Sequence, residues 1–323
     1  MKKALKWIGI VLGVLVLILL IMAAWIQFTP MPSFEVVAPQ VTVPVDSLSI
    51  ARGKKIVEAT CVHCHLGEDG KMSGRLFSRA EDAFGEMYTA NITQHPTKGK
   101  MSLYTDGELA YLIRTGVNRE GRWVGGMMTH ANMSDEDLAC MIAYLRSDAG
   151  IMQASEASYP LPAYLDMFIV KALAKFGVFK PTPYDGKPRT APPVTDQVAY
   201  GRYIVHEIYE CYGCHSASFE ANDPVNPEKS PNYMGGGNKV PDEEFNEIPS
   251  RNITPSKTYG IGNWTYDQFF AAVKTGVRPD GSMLGVQMPR YAALDSLEVS
   301  AIWAYLQTVP VIDTDPLAEP VKK

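Results

Sequence analysis

The five-residue word CVHCH at 61–65 returns 150 positions later as CYGCH at 211–215, and the two copies use four of the five cysteines in the chain. Two thiols three residues apart share one helical turn, so each can add to a vinyl group of the same haem while the next residue presents an imidazole to the iron. Cys61, Cys64, Cys211 and Cys214 are therefore read as covalent attachment points, with His65 and His215 as axial iron ligands, for two covalently bound haem c groups. Two rival chemistries use the same side chains. A thioredoxin-like redox pair needs an adjoining βαβ pattern, and neither copy has one. A closed zinc site needs four ligands, and no second Cys/His cluster follows at finger or ribbon spacing. Cys140, in SDEDLACMIAYLRS, sits among apolar neighbours at helical spacing and reads as a buried small hydrophobe.

The repeat extends beyond that word. ARGKKIVEAT precedes the first copy and AYGRYIVHEIYE the second; NIT follows each, at 91–93 and 252–254. ELAYLIRTGVNREG then matches DQFFAAVKTGVRPDG, and MSDEDLACMIAYLRS matches LDSLEVSAIWAYLQT. The order predicted is helix, haem motif, loop, helix, Met-bearing loop, helix, made twice. Ser134 and Asp295 are N-cap candidates with carboxylates three residues on, Asp137 and Glu298. Leu138, Met141, Ile142 and Leu145, like Val299, Ile302, Trp303 and Leu306, recur at i, i+3, i+4 and i+7, which puts one stripe inward. NIT also fits a glycosylation sequon, but equivalent places in both halves favour a shared loop role.

A methionine as second axial ligand closes the iron and raises its potential. GSMLGVQMPRY offers Met288, between the central and last helices of the second half. GRWVGGMMTHANMS offers Met127, Met128, His130 and Met133 in the first. Counting forward from Gly116 and Gly276 pairs Met288 with Met128; counting back from the capping residues pairs it with Met127. Met128 is preferred, Met127 is the alternative, and His130 is a bis-histidine option. His95 and His206 have no counterpart in the other half, and His63 is a variable position of its motif, so all three read as packing or surface residues. The aromatic run WTYDQFF at 264–270 reads as core against the haem, and MGGGNK at 234–239 as a tight loop near the haem edge.

The chain has 323 residues and opens with Lys2, Lys3 and Lys6 before an uncharged run from Trp7 to Ile26. Twenty helical residues span ~30 Å, enough to cross a hydrocarbon core, whereas the apolar part of a cleavable signal is ~7–15 residues. Residues 1–30 therefore read as a retained anchor with the haem domains on the periplasmic side of a bacterial cytoplasmic membrane. A signal peptide cut near Ala23 or Ala24 is the alternative, though neither cut has a small residue at the −3 position. Net charge is −5. The C-terminal part is acidic, densest in PDEEFNEIP, which argues against nucleic acid and suits either solubility or a basic docking partner. Residues 161–190 carry five Lys/Arg against two Asp/Glu. Within 151–194, an apolar-rich helix is expected from about residue 161 to 179, followed by a proline-rich strap. That helix either packs between domains or lies on the membrane surface.

Together these residues resemble the class I cytochrome c family, in particular its diheme membrane-anchored members. NITPSKTYGIGNW, leading to QMPRY, is similar to the "NITPD…TGIG.W" segment and "AMPY"-like ligand loop of the cytochrome subunit of quinoprotein alcohol dehydrogenases. FGEMYTANIT resembles the corresponding "FG.IY.TNIT" segment, and MMTHANMSDEDL the related loop "FMPFQNMSDEDL", which favours Met128. Those dehydrogenase subunits carry three haem motifs and this chain two, and Thr129 stands where the family has proline. The resemblance implies an all-α fold, an N-terminal transmembrane helix followed by two tandem class I cytochrome c domains at 45–150 and 195–312. It also implies electron transfer rather than enzymatic catalysis, with a dehydrogenase, an oxidase or a quinol-oxidising complex as redox partner. Permanent membership of such a complex is the alternative to a mobile carrier. A diheme peroxidase-like enzyme would need an open iron, for which the Met127/Met128 loop leaves the room.

Overall fold

The computed structural model describes residues 2–82, 84–242 and 244–317, so the acidic run at 241–249 is described apart from Glu243. Helix α1 spans Lys2–Phe28 without a break and is long and apolar enough to cross a membrane. Ile26 is its one buried residue. An extended strap then leads from α1 across the first half: the Phe34 N–H donates to Gly121 O at 2.8 Å, and the Tyr111 hydroxyl donates to Glu35 O at 3.0 Å.

Helix α2 (Ser47–Thr60) begins where the Asp46 carboxylate accepts the N–H groups of Leu48 and Ser49. The short α3 (Val62–His65) carries the first motif. A small antiparallel hairpin follows, β1 (Leu76–Ser78) with β2 (Met87–Tyr88). Helix α4 (Asp106–Thr115) is fixed at both ends, by a Thr105/Glu108 capping box and by Gly116 in the left-handed region at φ 72°. Helix α5 (Asp135–Leu145) starts at Ser134. After a linker containing α6 (Phe168–Lys175), the same series recurs. It runs through α7 (Gln197–Tyr203), a π-helical turn at Ile204–Ile208, α8 (Cys211–Cys214) with the second motif, and a hairpin of β3 (Lys239–Pro241) and β4 (Glu247–Pro249). Helices α9 (Tyr266–Thr275) and α10 (Ser296–Leu306) complete it, α9 with its own capping box and Gly276 at φ 79°.

The crossings are made by glycine. Helix α2 packs on α5, and a Cβ on Gly53 would lie 1.8 Å from Cys140 O; α7 packs on α10, and a Cβ on Gly201 would lie 1.9 Å from Ala301 O. Both pairs therefore approach backbone to backbone, and the apolar stripes meet beneath them. Leu138, Met141, Ile142 and Leu145 are all at most 3 % exposed, as are Val299 and Leu306, with Trp303 half-buried at the edge. Helix α5 is buried from Asp137 to Leu145, packed on α2 and α4, with the Tyr203 hydroxyl of the second half reaching its first turn. Cys140 is buried there, as its spacing predicts.

Three expectations need adjusting. The fold is helical but not purely so, since a short hairpin follows each motif. The linker helix is shorter than 161–179: a 3-10 turn at Ala163–Asp166 is followed by an extended Met167, and α6 ends before Gly177 at φ 72°. Finally, of the two boxes expected, Asp295/Glu298 alone is reciprocal; Asp137 leaves the Ser134 N-cap unreciprocated and turns its carboxylate to Arg52 and to the Tyr203 hydroxyl.

Candidate haem sites

Each motif is a single turn closed by its own backbone: His65 N–H donates to Cys61 O and His215 N–H to Cys211 O, both at 2.9 Å. Both imidazoles are held from behind in the same way. His65 Nδ1 lies 2.8 Å from Ala90 O, and His215 Nδ1 lies 2.7 Å from Arg251 O. A carbonyl accepts only, so Nδ1 carries the proton and Nε2 keeps its lone pair for a metal. Burial holds both rings below the usual histidine range, which keeps them neutral and able to ligate.

The carbonyls at Ala90 and Arg251 are placed by the NIT loops that follow. Asn91 Oδ1 accepts from the Thr93 N–H and hydroxyl, and Asn252 Oδ1 accepts from those of Thr254. The amide groups donate to Ser155 O and Ile312 O, tying each loop to the end of its half. Both asparagines are buried, which removes the glycosylation reading and supports the shared loop role. The glycine loop at 234–239 lies directly behind the second motif, where Gly236 N–H donates to His215 O. In the aromatic run, Phe269 is buried in the core with Trp264, Tyr266 and Phe270 packed against it.

The thiols speak against redox or zinc chemistry. A reactive Cys-x-x-Cys pair has a depressed thiol pKa. Here burial pushes Cys61 up to about 11, Cys211 to about 12 and Cys214 to about 11. None of the five cysteines is in a disulfide, and among the described residues no group of three or more His, Cys, Asp or Glu side chains could hold a metal ion.

The Met-bearing loops differ by one residue. Val124 and Leu284 donate to Gly116 O and Gly276 O at their starts, and His130 and Tyr291 donate to Ile113 O and Val273 O at their ends. Six positions separate the anchors in the first half and seven in the second. Thr129 lies over Gly116 where Arg290 lies over Gly276, so the end of the loop aligns Met127 with Met288. Met127 packs against the buried core, whereas Met128 is 43 % exposed. Met288 is half-buried, and its loop is clasped by the Arg290 guanidinium, which donates to Leu284 O, Gly285 O and Met288 O. Sequence reasoning passed over Arg290, although its place directly after Met-Pro is the signal that could have found it.

Of the remaining histidines, His63 is exposed, and His95 pairs with Glu156 at 3.1 Å. His206 is buried in a cage of Tyr212, Tyr233 and Tyr305, with hydrogen bonds to the hydroxyls of the last two, and burial pulls it down to about 4. His130 is 5 % exposed and faces the second half, with Nδ1 2.9 Å from Glu207 O and 3.3 Å from a Glu210 carboxylate oxygen.

Glu210 was also missed, and it lies where the two halves meet. It precedes Cys211 in the left-handed region at φ 46°, and its carboxylate oxygen is the one 3.3 Å from His130 of the first half. The signal was a pair of glutamates in the otherwise apolar IVHEIYE.

A paired-thiol turn with a neutral imidazole locked at Nδ1 has the make-up of a covalent haem-binding protein. The family described as cytochrome c matches residues 50–148, a span that contains CVHCH, and this part of the chain is a cytochrome c domain, the kind that carries covalently bound haem c. Relatives agree. The chain is 28 % identical over 273 residues to the fructose dehydrogenase cytochrome subunit of Gluconobacter japonicus, covering 81 % of this chain and 53 % of that one. It is 26 % identical over 275 residues to the gluconate 2-dehydrogenase cytochrome c subunit of Pantoea cypripedii, covering 82 % and 60 %. It is 33 % identical over 129 residues to the cytochrome c subunit of the quinone-dependent alcohol dehydrogenase of Gluconacetobacter polyoxogenes, covering 39 % and 24 %. The chain thus spans about half the length of the first of these.

Proposed function

We propose that the chain is a membrane-tethered diheme cytochrome c that passes single electrons on the periplasmic side, working as the electron-transfer subunit of a membrane-bound dehydrogenase. One observation carries this reading: the same motif turn occurs twice in one chain, each time with its imidazole backed by a carbonyl and followed by its own Met-bearing loop. Haem supplies reversible one-electron chemistry. The chain's part is to hold it through Cys61, Cys64, Cys211 and Cys214, to ligate iron through His65 and His215, and to exclude water. Met288 is the second ligand of the second haem. For the first, the notch over Gly116 and the core packing support Met127 ahead of Met128. Domains at 45–150 and 195–312 follow from the recurring series, with 151–194 between them. Names of relatives support a dehydrogenase as the electron donor; a quinol-oxidising complex would be a donor as well, and an oxidase would stand downstream. Tethering through α1 raises the local concentration near such partners.

A pyridine hemochrome assay with intact mass measurement tests it. Two haems per chain, with the weak far-red absorption of Met-ligated ferric haem at full strength and no cyanide shift, are expected. One haem per chain would sink the diheme reading. A high-spin band that moves with cyanide would mean an open first iron and bring the peroxidase-like reading forward.

A further inference from the structure

The segment around α6 is joined to the outer end of α1. Lys175 Nζ donates to Trp25 O and Thr29 O and lies 4.8 Å from the centre of the Trp25 ring, while Lys171 Nζ donates to Gln27 O. Two ammonium groups therefore cap the carbonyl end of α1, where cations are stabilised by the helix dipole. The Phe176 ring meets Trp25 edge-to-face at 6.3 Å. On its inner side, α6 buries Val170 and Ala174, and beyond it Phe179 packs on Trp123 of the first half.

The opposite face is bare and uniformly apolar. Phe168, Ile169 and Phe176 are 46 %, 55 % and 60 % exposed, and Val178 just beyond is 62 % exposed. On a helical wheel Phe168, Ile169, Ala172 and Phe176 fall on one side, with no charge among them. Through Phe176 this face runs on into Trp25, 46 % exposed, and Phe28, 85 % exposed, at the end of α1. Indole rings at the ends of a spanning helix sit at headgroup level. Resting on the membrane reading of α1, we propose that the outer face of α6 is a second bilayer contact, seated in the boundary between headgroups and acyl chains. The excess of five Lys/Arg over two Asp/Glu in 161–190 matches an anionic leaflet. With two contacts joined by the Lys175 clasp, the protein is held at a fixed tilt, not merely tethered.

The test uses the full haem-loaded chain in vesicles of phosphatidylcholine and phosphatidylglycerol containing a lipid with a diazirine in its acyl chain, photolysed and mapped by peptide mass spectrometry. Adducts are expected on 2–28 and also on 161–179, with the second set lost in a Phe168→Ser/Ile169→Ser/Phe176→Ser variant whose haem spectrum is unchanged. Adducts on 2–28 alone would overturn this inference and leave the anchor standing. Adducts on neither would remove the anchor reading as well.

Discussion

Glu210 is a buried carboxyl in the left-handed region directly before the second motif. Burial, with the charge of Glu207 adding to it, raises its carboxyl well above the usual range, and Glu207 itself is raised by burial. His130 gives no charge in return, because burial pulls it down to about 4. The sign follows from linkage: a carboxyl whose folded pKa is raised contributes its stability fully below its unfolded pKa of about 4.3. That contribution is lost as pH climbs toward the folded value, at about 1.4 kcal/mol per unit of difference. Glu210→Gln should therefore flatten the decline of the denaturation midpoint between about pH 4 and 8, and a Glu207→Gln/Glu210→Gln pair should flatten it further. An unchanged pH profile would mean that Glu210 is ionised and compensated in the folded protein. The methionines give a second test at this scale. Met127→Ala should abolish the far-red absorption of one haem and make it bind cyanide, whereas Met128→Ala should leave both signals; the reverse pattern would assign Met128. The position of each motif imidazole at the end of a single turn was legible, because the C-x-x-C-H spacing fixes it. Which of two adjacent methionines turns inward was not, because a one-residue difference in loop length shows only once both ends of the loop are fixed.

At the scale of elements, helix ends and crossings were readable to different degrees. Caps at Ser134 and Asp295 are local chemistry, visible within four residues, and those at Thr105 and Thr265 follow the same rule although the sequence reading did not single them out. The crossings at Gly53 and Gly201 were hidden, since a glycine inside a helix signals a close partner without naming it. Gly53→Ala and Gly201→Ala should each push a helix away from the carbonyl it touches. By overpacking estimates the cost is about 1–3 kcal/mol, read as a lowered Tm, with the haem spectrum retained. Gly9 and Gly13, with open space around them, serve as controls and should show no change. Linker 151–194 was the least legible stretch. Its 3-10 turn and short α6 depend on the strap and the end of α1, partners remote in sequence.

On the whole-molecule scale, the halves are locked by charge as well as by packing. Arg52 on α2 donates to Asp137 at 2.7 Å and to Glu298 at 2.6 Å, and Lys55 reaches Glu298 at 2.8 Å and Asp295 at 3.0 Å. Glu298 is 2 % exposed, so removing Arg52 leaves a buried carboxylate short of a partner. Arg52→Ala should cost toward the lower end of about 3–5 kcal/mol, since Arg52 keeps some solvent contact. It should also split one calorimetric unfolding transition into two as the halves uncouple. A single transition with unchanged Tm would show that packing alone holds them. The duplication itself was plain in the sequence. How the copies meet was not, because the residues that join them are the positions at which the copies differ. The clasp of Arg52 and Lys55 bears on biosynthesis: Asp295 and Glu298 lie 240 to 246 residues further along the chain, so α2 is made long before these ion pairs can form. Until α10 is made, Arg52 has Asp137 alone and Lys55 has neither of these carboxylates, so the surface of the first half is completed only when synthesis is almost over.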